Sequence, residues 1–199
     1  IRNVQTIPQQ IVEQMRRDIL SGVRKEGEAL REQDLSSNFG VSRGPVRAAL
    51  LELAREGLVV TVPNRGVRVA PHPTEEVHQL IINMRQQIES FVVKAVFREL
   101  VDVGVSKLDI VLDQLRAACE SEDVERVREL DWAFHSTIIS MYGEKHLEEI
   151  WHSVTMRMMF RYGRHESLME NYYEHERIVA AIRTGDLNKT IEELKRNIQ

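Results

Sequence analysis

Cysteine is almost absent from this chain: Cys119 is the only one in 199 residues. A lone thiol cannot close an internal disulfide, and Cys119 falls in an apolar helical pattern where a small buried side chain is the expected role. Long apolar runs are missing as well. They reach only a few residues, as in Ile138 to Ile139 or Met158 to Phe160, against the roughly 20 that a bilayer-spanning helix needs. No membrane span is expected. The first ten residues lack a basic end leading into an apolar stretch, so no secretory signal is expected and the protein reads as cytoplasmic. Internal repeats and low-complexity tracts are also lacking. What is there is 42% hydrophobic and 29% charged, which allows a real core and, at this length, two domains.

Positive charge is in short supply overall, with a net charge of -4, yet it is unevenly spread. Residues 1–70 hold 11 Lys/Arg against 8 Asp/Glu, a net +3, whereas residues 71–199 hold 16 against 23, a net -7. A basic head on an acidic body suits a nucleic-acid reader, and equally an ordinary solvated surface.

Periodicity places three short helices in the head. From Pro8 the apolar positions Ile11, Val12, Met15, Ile19 and Leu20 follow helical spacing, and Gly22 ends the run. Glu32 to Phe39 reads as a short helix with Leu35 and Phe39 inward, stopped by Gly40. Ser42 is placed to cap a third helix with Val46, Ala49, Leu50 and Leu53 on its apolar face, ending at Gly57. The period then changes. Leu58 to Val62 and Val67 to Ala70 are rich in β-branched residues around the turn Pro63, Asn64, Arg65 and Gly66, which predicts a two-stranded hairpin. Pro71, His72 and Pro73 mark a linker, dividing the chain into domains 1–71 and 74–199. Beyond Thr74 no strand-like alternation survives. Helical patterns broken at Gly104, near Ser121, at Gly143, around Gly163 and at Gly185 to Asp186 describe a bundle of about six helices. The fold class is mainly α: a winged helix-turn-helix followed by an all-helical domain.

The most specific stretch is GVSRGPVRAALLELAREGLVVTVPNRGVRV, Gly40 to Val69. Gly40 and Val41 make a tight turn between helices, and Arg43 and Arg47 lie one turn apart on one exposed face. A helix of this kind lying in a major groove presents its N-terminal residues to base edges, and its amide dipoles favour a phosphate. The turn at Asn64, Arg65 and Gly66 can put a cation beside a minor groove. Without context the two arginines read as well as solubilising charges.

From Arg16 to Val69 the chain resembles the GntR family of transcription regulators, in which a helix, an acidic leucine-bearing helix, VSR-x-PVR, EGL and a PN-x-G wing occur in this order. The resemblance implies a dimer that binds double-stranded operator DNA. It implies that Ser42, Arg43, Gly44 and Arg47 are the recognition-helix contacts, that Arg65 and Gly66 are the wing contacts, and that Arg31 and Gln33 assist. Relatives usually carry arginine at the Gln33 position and a hydroxyl residue at Gly44, which implies a different operator preference here.

In the helical domain Asp131 and His135 are four residues apart, so both project from one helix face, where they can chelate one ion or simply interact at a surface. Arg85 can receive a carboxylate through its planar guanidinium or pair with Glu89 one turn on. From about Glu75 to the end, the chain resembles the ligand-sensing FCD domain of the FadR branch of the same family. The match rests on Arg85 and Glu89 as Arg-x3-Glu, on Asp131 to His135, and on His175 with Gly185 and Asp186. Many members of that branch hold a divalent metal with an Asp, a His four residues on, and two histidines 22 positions apart. His175 takes the first of those two positions and Asn197 the second. An amide oxygen is a weaker and harder ligand than imidazole. Either Asp131, His135, His175 and Asn197 hold an ion, with zinc, nickel and manganese all open, or the site is a purely organic pocket. The resemblance further implies a small organic-acid or sugar-acid effector, with Arg85 and Glu89 as its contacts.

Two rivals remain at the level of sequence. One is a metal-dependent enzyme built on Asp131, His135 and His175, although no HExxH-type base accompanies them. The other is a DNA-binding protein whose sensor has decayed to a dimerisation module. For the head the expected outcome is definite: Arg47→Ala sharply weakens binding to operator duplex in a mobility-shift assay and leaves dimerisation by light scattering intact. Unchanged DNA binding contradicts the assigned recognition helix.

Overall fold

The structure, a computed structural model, describes residues 5–161 and 167–199. Two compact units emerge: Ile1–Glu75 with His152–Phe160, and Glu76–Trp151 with Arg161–Gln199. The first unit therefore runs a little past the expected linker and takes in a short piece from late in the chain, where Phe160 packs on its core.

The head opens with α1, Ile7–Leu20. Thr6 begins it with a capping box: its hydroxyl accepts from the Gln9 N–H, and the Gln9 side chain accepts from the Thr6 N–H at 2.8 Å. Helix α2, Glu32–Phe39, and helix α3, Arg43–Glu56, match the expected spans to within a residue. Between them Gly40 sits at φ 65°, a left-handed conformation that a Cβ disfavours, and this lets the chain reverse tightly into the second helix of the pair. Ser42 occupies the cap position of α3 in extended backbone, but its hydroxyl makes no capping hydrogen bond. The expected cap is therefore positional only.

The wing consists of β1, Val59–Val62, and β2, Gly66–Val69, paired antiparallel with Val59 opposite Val69 and Val62 opposite Gly66. Leu58 and Ala70, expected inside the strands, flank them, joined by the Ala70 N–H to the Leu58 carbonyl at 2.9 Å. A third segment was not expected. Leu30 donates to the Val67 carbonyl (2.9 Å), Val69 to Glu28 (3.0 Å) and Gly27 to Val69 (3.1 Å), so residues 27–30 line the other edge of β2. Met15, Leu35, Val46, Leu53, Leu58 and Val69 are almost fully buried together beneath the helices and wing. At the end of α3, the buried Glu56 accepts from Arg16 of α1, with Nε 3.0 Å from Oε2.

Six helices follow the wing: α4 (Glu75–Glu99), α5 (Val105–Glu120), α6 (Val124–Ser140), α7 (Lys145–Met158), α8 (Leu168–Arg183) and α9 (Leu187–Asn197). Helix α5 packs on α6 and α8, and α8 on α9. Asp123 and Asp186 cap α6 and α9 by accepting from the Arg126 and Lys189 N–H groups at 3.0 and 2.9 Å. Cys119 is buried with Leu115, Ala118, Val127 and Leu130, as expected of a structural thiol. Gly104 is not the expected stop. Its backbone stays right-handed in a π-helical turn, Leu100–Gly104, and a Cβ there would fall 2.7 Å from a Leu100 methyl and 3.0 Å from the Met141 sulfur. Close approach, not chain reversal, is what needs glycine at 104. The break expected around Gly163 lies outside the described residues.

Of the four glycines between Gly40 and Val69, Gly40 and Gly44 differ in kind, and stability measurements resolve them. Gly40→Ala places a Cβ on left-handed backbone and costs about 1–2 kcal/mol. Gly44→Ala adds a methyl with no atom within 4 Å on helical backbone and is neutral or stabilising by up to about 1 kcal/mol. Calorimetric midpoints that shift equally for both variants contradict this assignment.

Candidate functional site

The eight residues expected to meet DNA, Arg31, Gln33, Ser42, Arg43, Gly44, Arg47, Arg65 and Gly66, are all exposed in the first unit. Ser42, Arg43 and Gly44 form the first turn of α3, where unpaired amides favour an anion. Arg31 and Gln33 stand at the start of α2. Arg65 and Gly66 form the wing tip, with Asn64 at φ 59° and the Arg65 N–H on the Val62 carbonyl (3.0 Å) closing the turn. Two members of the set are already braced. Arg47 donates Nε and Nη2 to the two oxygens of Glu32 at 2.9 and 2.8 Å, and Arg43 donates Nη2 to the Gln33 amide oxygen. Sequence reasoning passed over Glu32, whose acidic character alone reads as a solvated helix start.

The second unit holds a buried cluster. Asp131 and His135 project from α6 and His175 from α8, and their ligand atoms lie within 4.8 Å of one another. All three are buried, the two imidazoles completely. Each imidazole is fixed through Nδ1: His135 on a Glu89 oxygen at 2.6 Å, His175 on the Asn171 carbonyl at 2.7 Å. A carbonyl can only accept, so His175 carries its proton on Nδ1 and turns the Nε2 lone pair inward. Among the described residues, Nε2 of His135 and Nε2 of His175 have no hydrogen-bond partner, and the latter lies 3.4 Å from the Asp131 carboxylate. Two inward imidazole nitrogens and a carboxylate fit a borderline divalent ion, with each second nitrogen held by an outer partner. Burial drives the His175 pKa down to about 4, so the ring is neutral at neutral pH, the form that can ligate a metal. Asp131 is pushed up by burial but pulled further down by His175, His135, Arg85 and the Asn171 amide, which leaves it below the usual carboxylate range. Phe134 walls the site edge-on, its ring 4.7 Å from that of His175.

Glu89 lies at the centre of a buried hydrogen-bond set. Its Oε1 accepts from Arg85 Nε at 2.7 Å and from the Trp151 indole N–H at 2.8 Å, while Oε2 holds His135. Both oxygens are engaged within the protein, where Glu89 orients its neighbours. Burial raises its pKa, but His135, Arg85 and the Trp151 bond outweigh that and bring it to about 2. Arg85 pairs with Glu89 one turn on along the same helix. Asn197 is buried on α9, its amide donating to Glu174, the neighbour of His175, at 3.2 Å. Trp151 and Asn171 were missed by sequence reasoning. Trp151 meets Glu89 across 62 positions, and Asn171 acts largely through its backbone.

A winged reading head and an α-helical domain with a buried carboxylate and imidazole cluster define a two-part transcription regulator. Residues 7–69 match the gntR family of bacterial regulatory proteins and residues 80–199 match the FCD domain, and the chain belongs to this family. It is 28% identical over 196 residues to the gluconate operon transcriptional repressor of Bacillus licheniformis, covering 92% of this chain and 79% of that one. It is 34% identical over 134 residues to the transcriptional repressor RspR of Escherichia coli K12, covering 67% and 58%. Among solved structures, E. coli McbR/YncC superposes with a TM-score of 0.81 at 20% identity, covering 98% of this chain and 95% of that one. A GntR regulator from Rhodococcus sp. RHA1 superposes with 0.77 at 25% identity, covering 96% and 93%. These relatives are regulators, which sets aside the enzyme reading of the Asp/His groups.

Removing the carboxylate at the centre of the second unit tests its role. Glu89→Ala leaves the Arg85, His135 and Trp151 donors buried without their acceptor and lowers unfolding free energy by about 3–5 kcal/mol in denaturant titration. A loss under about 1 kcal/mol, the range of an exposed pair, contradicts the role.

Proposed function

We propose that this regulator binds a palindromic operator as a homodimer through α3 and the wing, and that a small carboxylate effector in the helical domain controls the binding, with a divalent metal at Asp131, His135 and His175. One observation carries the effector half: two fully buried imidazoles turn unpartnered Nε2 atoms toward a buried carboxylate. When bound, the ion supplies a Lewis-acidic anchor for a carboxylate. Asp131 and the two histidines hold it, Glu89 and Asn171 fix the rings, and Phe134 excludes water. With Asn197 where a third imidazole stands in relatives, three strong protein ligands leave positions open for water or an effector oxygen. The gluconate-operon names of two relatives support a sugar acid as the effector class. The effector acts by binding one arrangement of the regulator better than the other, and DNA affinity shifts by that difference.

Elemental analysis of purified protein is expected to find about one zinc, nickel or manganese ion per chain, reduced to background in His135→Ala and His175→Ala. Metal-loaded protein is expected to gain thermal stability with sugar acids such as gluconate, and chelated protein to lose that response. Absence of metal together with silence across acids overturns the effector reading and favours a decayed sensor.

A further inference from the structure

The recognition arginines are not free to choose their contacts. Arg47 is 65% exposed, yet its guanidinium lies side-on against Glu32, with Nε and Nη2 each donating to a separate carboxylate oxygen. A guanidinium has five N–H groups, and this pairing consumes the Nε edge. What remains is the end-on edge formed by Nη1 and Nη2. That edge matches the O6 and N7 acceptors of guanine in a major groove.

Resting on the reading that α3 enters operator DNA, we propose that Glu32 is a positioning residue that presents Arg47 end-on to guanine and so makes it a base reader instead of a phosphate clamp. A phosphate can be met by a guanidinium from many directions, whereas a base edge in a groove requires one. Glu32 supplies that direction from the first turn of α2, where the helix dipole favours a carboxylate. The hydrogen bond from Arg47 holds the Glu32 pKa below the usual carboxylate range, so the brace stays charged where regulators work. The same carboxylate is repelled by phosphates. A register that offers Arg47 no base acceptor leaves Glu32 facing the backbone charge with nothing gained, which penalises the wrong sequence. Gln33 braces Arg43 through one bond from Nη2 to its amide oxygen, a looser hold on the second arginine.

Selection of duplexes from a randomised pool by the full chain tests this, run side by side for wild type, Glu32→Gln, Glu32→Ala and Arg47→Ala. The wild-type profile is expected to contain a guanine position that Arg47→Ala erases. At that position both Glu32 variants are expected to lose about tenfold in preference for guanine over adenine. Their binding to unrelated duplex is expected to rise and to depend more steeply on salt. Retention of the guanine preference in both Glu32 variants, or an equal change across all sequences, overturns the positioning role while leaving the recognition helix in place. An Arg47→Ala profile identical to wild type overturns the recognition-helix reading and this inference with it. A variant that only misfolds loses binding without changing its relative preferences, so the profile separates the two causes.

Discussion

The helical unit depends on a charge that water does not reach. Glu89 is completely buried and ionised, and a carboxylate in that setting costs several kcal/mol unless its lone pairs are met. The donors come from three places: Arg85 on α4 itself, His135 on α6 and Trp151 on α7. Each must arrive at one point within hydrogen-bond distance, so the rotation and register of those helices are not independent. The His135 ring orientation is settled in the same act, and with it the inward aim of Nε2. His175 is settled the same way by the Asn171 carbonyl. The geometry of the cluster around Asp131 thus follows from how the buried polar groups around it are satisfied.

The reading head obeys the opposite economy. Its core is apolar apart from the buried Glu56, and the arginines proposed to meet DNA are exposed charges whose energies water screens. Precision there comes from geometry: the tight turn at Gly40, the first turn of α3, and the braces from α2. Gln86 plays a comparable part in the helical unit, since its side chain donates to the carbonyls of Lys195 and Ile198 and ties the last turn of α9 to α4.

Much of the head was legible in the sequence because its signals are local. Helical spacing, glycine stops and the β-branched run around Pro63 to Gly66 located α1, α2, α3 and the wing. The additions were carried by backbone or by distance. Residues 27–30 join the wing through main-chain bonds that no side-chain pattern announces, and Gly104 looked like a stop because its real constraint is a neighbour 37 positions away, Met141. In the helical unit Asp131, His135 and His175 were readable as a set. The role of Glu89 was not, because an i, i+4 pair with Arg85 carries no hint of Trp151 or of burial.

The backbone bonds from residues 27–30 also determine how the wing can behave mechanically. With β2 bonded to β1 on one edge and to residues 27–30 on the other, the hairpin is not a free flap but is tied into the head through its second strand. Pro63 to Gly66 are exposed at its tip, as are Val60 and Thr61 of β1. A wing anchored in this way has less freedom to mould itself to a groove than one held by its hairpin alone. On the proposed DNA-binding reading, mutual fit then falls more to the Arg65 side chain and to the DNA, whose local stiffness and groove width become part of what is selected.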